Sequence, residues 1–473
     1  MTAVAERSAG RSHPWRDNLE AMTMAIVMAL LLKGFVVEAY KIPTGSMQPT
    51  LIGDEDSGIQ DRILVDKLSY VLGDPQRWDV AVFRYPLNRS QNFVKRIVGV
   101  GPEEFRIHNG DLWNRSATDE PWSVLRRPRS VQESTWLRLD VAAPEGSSWH
   151  PDDEATDWSA KARSVRARGT GKARFRSTHS TIQDRYFDGY PEEILPYMEE
   201  AGGRKRGANP VGDLRLTGQV AALPGARWIE LILTEGNCRY TFRVPGPEAP
   251  EGARPTIVPQ AFRSLGPKTP EPIEAAATWR LTAGRPVHFL VQNLDDLLTF
   301  EVDGAFALEL EIPTRYDQAS SVQVGVDGEG ADFSDLMVYR DIYYRAEGRT
   351  QSVTIPDGHY FMLGDNTRNS SDSREWFFDV FEVRDPAGGP SRTLRANGGV
   401  PGRERAITQI DGRRHRRLTD AFGETAWYAD DDIEDLGQSD EPFVARDQVL
   451  GKALAVFWPL DLRRDIYRFQ WVH

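Results

Sequence analysis

Asn92-Phe93-Val94-Lys95-Arg96-Ile97-Val98-Gly99 is the stretch on which the fold turns. Its apolar, β-branched character predicts a strand, and the period of two puts Phe93 and Lys95 on one face and Val94 and Arg96 on the other. A lysine set among apolar neighbours can lose the water that keeps its amine charged. Working outward, residues 62–70 (RILVDKLSY) and 78–86 (WDVAVFRYP) show the same half-buried strand pattern. Residues 105–108 and 111–113 flank Asn109-Gly110, a strong hairpin signal. These runs predict a mainly β, antiparallel domain.

Upstream lies Ile42-Pro43-Thr44-Gly45-Ser46-Met47-Gln48-Pro49-Thr50-Leu51. Prolines on both sides of Gly45-Ser46 suggest a rigid turn that presents a hydroxyl. A serine needs a base before it can attack a carbonyl. A lysine serves only when its amine is neutral, and burial in apolar surroundings achieves that. Downstream, Gly364 to Arg374 (GDNTRNSSDSR) follows a strand-like run at 359–363 and is dense in hydroxyls, carboxylates and amides. Such a loop can orient a neighbouring side chain, and Asp372 and Arg374 can pair. Taken singly, each segment also has a plainer reading: a solvated turn, a surface lysine or an Asx-rich loop.

Residues 21–37 (AMTMAIVMALLLKGFVV) are apolar except for Lys33. Seventeen residues is near the lower limit for crossing a hydrocarbon core of about 30 Å. A buried core helix is the alternative. A cleaved secretory leader is disfavoured because no small-residue cleavage site follows promptly. Arg7, Arg11 and Arg16 precede the span and Lys41 follows it, which predicts a cytoplasmic N-terminus and an external remainder.

The chain is 473 residues long, which predicts more than one domain. A net charge of −12 argues against a nucleic-acid partner, which needs a basic face. Cys238 is the lone cysteine and the eight histidines lack ligand spacing, so neither a metal nor another cofactor is expected. Between about 116 and 350 the texture changes. Candidate strands at 228–233 and 238–244, at 287–292 and 297–302, and then at 306–312, 322–326 and 336–339 suggest an inserted antiparallel β-sandwich. Residues 384–441 read as a loop-rich second insertion, with a basic cluster at 413–417 and an acidic run at 430–432. Residues 451–459 read as a last strand.

The quoted segments resemble the motif boxes of type I signal peptidases, in that family's order. The segment 42–47 is similar to the nucleophile box after the membrane anchor, 61–67 to the next strand box, 94–99 to the base-bearing box, and 364–374 to the last box. The resemblance implies a two-sheet antiparallel β catalytic domain with Ser46 as nucleophile and Lys95 as general base. It implies an oxyanion hole from the Thr44 hydroxyl and the Ser46 N–H, Ser370 orienting Lys95, and Asp372 and Arg374 holding the last box. Ile42, Leu51 and Val94 would line shallow pockets for small residues, and Met47 would lie near the membrane-facing surface. Departures are Thr44 where serine is commoner, Val100-Gly101-Pro102-Glu103 where Leu-Pro-Gly-Asp is usual, and Gln60 where glycine opens the next box.

The implied organisation is a cytoplasmic tail (1–18), a transmembrane anchor (19–38), catalytic parts at 39–115, 351–383 and 442–473, and insertions at 116–350 and 384–441. The implied setting is the bacterial cytoplasmic membrane, with the catalytic domain outside. The implied partners are signal peptides of exported preproteins and membrane lipid. The later part of the first insertion resembles concanavalin-A-like or laminin-G-like sandwiches, which implies a carbohydrate or protein ligand. A tethered scaffold that kept the peptidase fold is the alternative to an active enzyme.

Overall fold

Strands form where the period-two pattern predicts them, and one sheet gathers those that carry the motifs. The computed structural model describes residues 14–140, 148–152, 157–176, 181–202, 207–262, 267–316, 319–346, 352–384, 389–396, 407–410, 412–461 and 463–473. The chain opens with helix α1 (Pro14–Leu31), a π-helical turn (Leu32–Val36) and strand β1 (Val37–Lys41). Next come β2 (Arg62–Asp66), β3 (Val80–Tyr85) and β4 (Asn88–Val100). This first sheet runs β1, β2, Val449–Trp458, β3, β4, His359–Leu363, Phe443–Ala445, so pieces far apart in sequence complete one antiparallel ladder. Its apolar face packs Ala81, Phe83, Ile97, Met362 and Trp376 into one core.

Strands β5 (Glu103–His108) and β6 (Asp111–Arg115) form the expected hairpin. Asn109 and Gly110 both take positive φ, as a two-residue turn of that hand requires. This hairpin forms a small sheet with Ser352–Ile355 and Ser123–Val124, so the first insertion leaves and returns along the same sheet.

That insertion is a β-sandwich. One of its sheets includes Leu214–Ala222, Val287–Leu294 and Gly330–Arg340, and the other includes Ala226–Glu235, Cys238–Pro245 and Ser320–Gly328. The inward residues of both sheets, among them Leu216, Val291, Val338, Leu231, Phe242 and Val324, form a single core.

Three expectations change. The anchor predicted over 19–38 is helical only to Leu31 and through the π turn, because Val37 and Glu38 pair with Asp66 and Val65 of β2. Among the described residues no helix is long and apolar enough to cross a membrane. The cytoplasmic tail predicted over 1–18 lies mostly outside the described residues. Residues 384–441 are not loop-rich where described: Arg392–Ala396 and Ile433–Asp440 flank Phe377–Val383 in one sheet, and Ile407–Ile410, Arg413–Thr419 and Thr425–Ala429 form another. The basic cluster is a strand lying mostly at the surface, and Arg416 pairs with Asp430 at 2.8 Å.

Candidate active site

The turn after β1 tightens into a single 3-10 turn, Gly45–Met47, which holds Ser46. From β4, Lys95 approaches it, and its Nζ lies 2.6 Å from Ser46 Oγ. Lys95 is 3% exposed. Burial, opposed by the Asp372 and Asp365 carboxylates, pushes its amine down to about 8. The Phe93 ring, on the same strand face, has its centroid 5.5 Å from Nζ. The pair lies in the wall of a cleft of about 600 Å³.

The last box holds the serine turn from behind. The Asn366 backbone N–H donates to the Ser46 carbonyl at 3.1 Å, and the Asn366 side chain donates to the Gly45 carbonyl at 2.8 Å. A Cβ on Gly364 would meet Ser370 Oγ at 2.2 Å and the Ser46 carbonyl oxygen at 2.4 Å, so only glycine lets the strand end approach this closely. Asp365 accepts from Arg96 Nε and Nη2, each at 2.8 Å, and from Thr50 Oγ1 at 2.6 Å. The Arg96–Asp365 pair is fully buried and ties the residue after Lys95 to the last box. Asp372 takes both Arg374 bonds, at 2.7 and 2.8 Å, and also accepts from the Gly364 N–H.

Thr44, Ile42, Val94 and Ser370 line the cleft with Ser46 and Lys95. Three expected placements differ. Leu51 lies in the core with Ile63, Val65 and Val80 rather than in the cleft. Met47 is fully buried in the same cluster and is absent from any outer surface. The Ser370 hydroxyl is buried without a hydrogen-bond partner, so its expected bond to Lys95 is not made.

Sequence reasoning assigned no role to Gly364, Asp365, Asn366 or Arg96, although all stand inside the quoted segments. It also missed the inserted arm. Tyr190 donates to Gln48 Oε1 at 2.6 Å, and Asn369 Nδ2 donates to the Tyr186 hydroxyl at 3.2 Å. Residues 182–202 carry little periodicity, so only the fold brings them here.

The family described as "Signal peptidase, peptidase S26" matches residues 15–146 and 325–389. Probable signal peptidase I-2 of Synechocystis sp. is 34% identical over 127 residues, covering 25% of this chain and 56% of its own. Signal peptidase I of Pseudomonas fluorescens is 42% identical over 87 residues, covering 16% and 28%. The chain thus spans about half the length, or less, of these curated relatives. A solved carbohydrate-binding module from Bacillus subtilis aligns with 41% of this chain and 96% of its own at 9% identity and a TM-score of 0.25, too low to bear on the insertion's ligand. The matched residues include Ser46, Lys95 and most of the strands around them, and over that part the chain is similar to the signal peptidase family, peptidase S26.

Proposed function

We propose that this chain is a type I signal peptidase, a membrane-anchored serine endopeptidase that removes N-terminal signal peptides from exported preproteins. The observation that carries the reading is the 2.6 Å contact between a serine on a rigid turn and a buried lysine whose amine is pushed down to about 8. Neutral Lys95 takes the proton from Ser46 Oγ as that oxygen attacks the scissile carbonyl. The Ser46 N–H and the Thr44 hydroxyl stabilise the oxyanion. The lysine then passes its proton to the leaving amine, and water, activated by the same amine, releases the acyl-enzyme. Asp372 with Arg374 fixes the loop behind the serine turn.

Between Tyr40–Thr44 on one side and Asn92–Lys95 on the other, the cleft accepts an extended peptide by strand addition. Ile42, Val94 and Val82 leave it shallow and apolar, which suits small residues before the scissile bond, of Ala-x-Ala type.

Anchoring at a membrane has two supports. Met22, Met24, Met28 and Leu30 of α1 are exposed, and with the π turn the helical segment covers Pro14–Val36. Trp458, Tyr467, Phe469 and Trp471 are exposed aromatic residues of the sort that settle at headgroup level.

The test is cleavage of a model preprotein bearing Ala-x-Ala by detergent-solubilised wild type, Ser46→Ala and Lys95→Ala. Cleavage by wild type alone is expected. Retained cleavage in either folded variant would overturn the mechanism.

A further inference from the structure

Away from the cleft, three aspartates from separate segments converge where the insertion meets the catalytic part. Asp111 opens β6, Asp213 immediately precedes Leu214–Ala222, and Asp295 sits in the two-residue turn between Val287–Leu294 and Leu297–Val302. One carboxylate oxygen from each lies within 4.8 Å of the others. Two oxygens bound to one ion at about 2.4 Å can be no more than about 4.8 Å apart, and all three lie within that limit.

A second observation is independent of that triad. Asp341, 3% exposed, lines a small void with Asp111 and Asp295, and its Oδ1 has no hydrogen-bond partner. Asp295 Oδ2 and the Tyr344 hydroxyl in the same lining are also buried without partners. The void holds one guanidinium, that of Arg127, which pairs with Asp341 through Nη2. Its lining therefore carries more carboxylate than cation, in a place where anions are costly to leave unpaired.

We propose that Asp111, Asp213 and Asp295, with Asp341 beside them, bind one calcium ion that clamps the inserted sandwich to the catalytic part. The donors are oxygen only, which selects a hard cation over zinc. Donors drawn from three separate segments suit calcium, which takes irregular shells of carboxylates, carbonyls and water, better than magnesium, which demands an octahedron. Asp111 belongs to the catalytic hairpin, whereas Asp213 and Asp295 belong to the sandwich, so the ion joins the two.

The test uses the full chain in detergent, stripped with EDTA and titrated with calcium chloride in a calorimeter, with thermal unfolding followed in parallel. One calcium per chain and a Tm several degrees higher in calcium than in EDTA are expected. Asp213→Asn and Asp295→Asn should each weaken binding at least about 100-fold while leaving the Tm in EDTA unchanged or raised. No binding heat to millimolar calcium with an unchanged Tm would overturn the proposal. So would calcium binding undiminished in both variants, or a preference for magnesium.

Discussion

Tyr190, in the inserted arm, donates a 2.6 Å hydrogen bond to the side-chain carbonyl of Gln48, two residues beyond Ser46. The insertion thereby reaches the turn that presents the serine. Gln48 is itself pressed against that turn, since a Cβ on Gly45 would fall 2.5 Å from Gln48 Oε1.

Tyr190→Phe leaves a buried acceptor with only the long 3.5 Å bond from Tyr186. The expected cost is about 1–2 kcal/mol of stability, read by thermal denaturation. A several-fold fall in kcat is expected alongside, because the serine turn loses a brace; an unchanged kcat would show that the arm does not position the serine.

The lysine sets a pH dependence. With its amine held at about 8, the neutral form grows as pH rises, so kcat/KM should climb through an acid limb near that value. The unfolded lysine titrates near 10.4, so between the two values the unfolded state binds more protons and stability rises with pH. Lys95→Met should abolish cleavage, flatten that rise, and stabilise the protein at neutral pH by on the order of 2 kcal/mol.

Asp365→Asn should be severe, because it leaves the Arg96 charge buried without its counter-ion. A loss of about 3–5 kcal/mol is expected in chemical denaturation. Replacing both partners, Arg96→Met with Asp365→Leu, should cost less than the single change; a double variant that is worse would mean the pair contributes net stability.

Gly364→Ala tests the close approach behind the serine. The added methyl meets the Ser46 carbonyl at 2.4 Å, and that backbone atom cannot yield without moving the turn. A fall in kcat on the order of 100-fold with the fold retained is expected, since small misplacements of reacting groups cost about that much. Circular dichroism alongside kinetics separates this from unfolding.

Much of the catalytic sheet is legible from alternation: Val80–Tyr85 and the later half of Asn88–Val100 lie where the pattern puts them. The run at 62–70 breaks at Asp66, because its carboxylate accepts from the Leu68 and Ser69 N–H groups and turns the chain into a short helix. The sandwich hairpins are legible for the same reason, and Asp295-Asp296 takes the positive φ of a tight turn. The strand at Arg413–Thr419 was hidden because much of it is solvated, which removes the apolar alternation. In the site, a proline-flanked turn has no period, so nothing local says that Met47 and Leu51 point into the core. The Ser46–Lys95 contact spans 49 residues, and its distance belongs to the fold alone.

The strands on either side of the sandwich, Asp111–Arg115 and Ser352–Ile355, both hydrogen-bond to Glu103–His108. The chain can therefore leave and rejoin the catalytic part at almost no loop-closure cost, and the ladder beneath never registers the detour. A gene with such a gate can accept, lengthen or exchange an entire module between two codons without rewriting the strands that hold the serine and lysine. Here the guest has also grown a finger back toward the host's working residues, so its removal would be felt at Ser46.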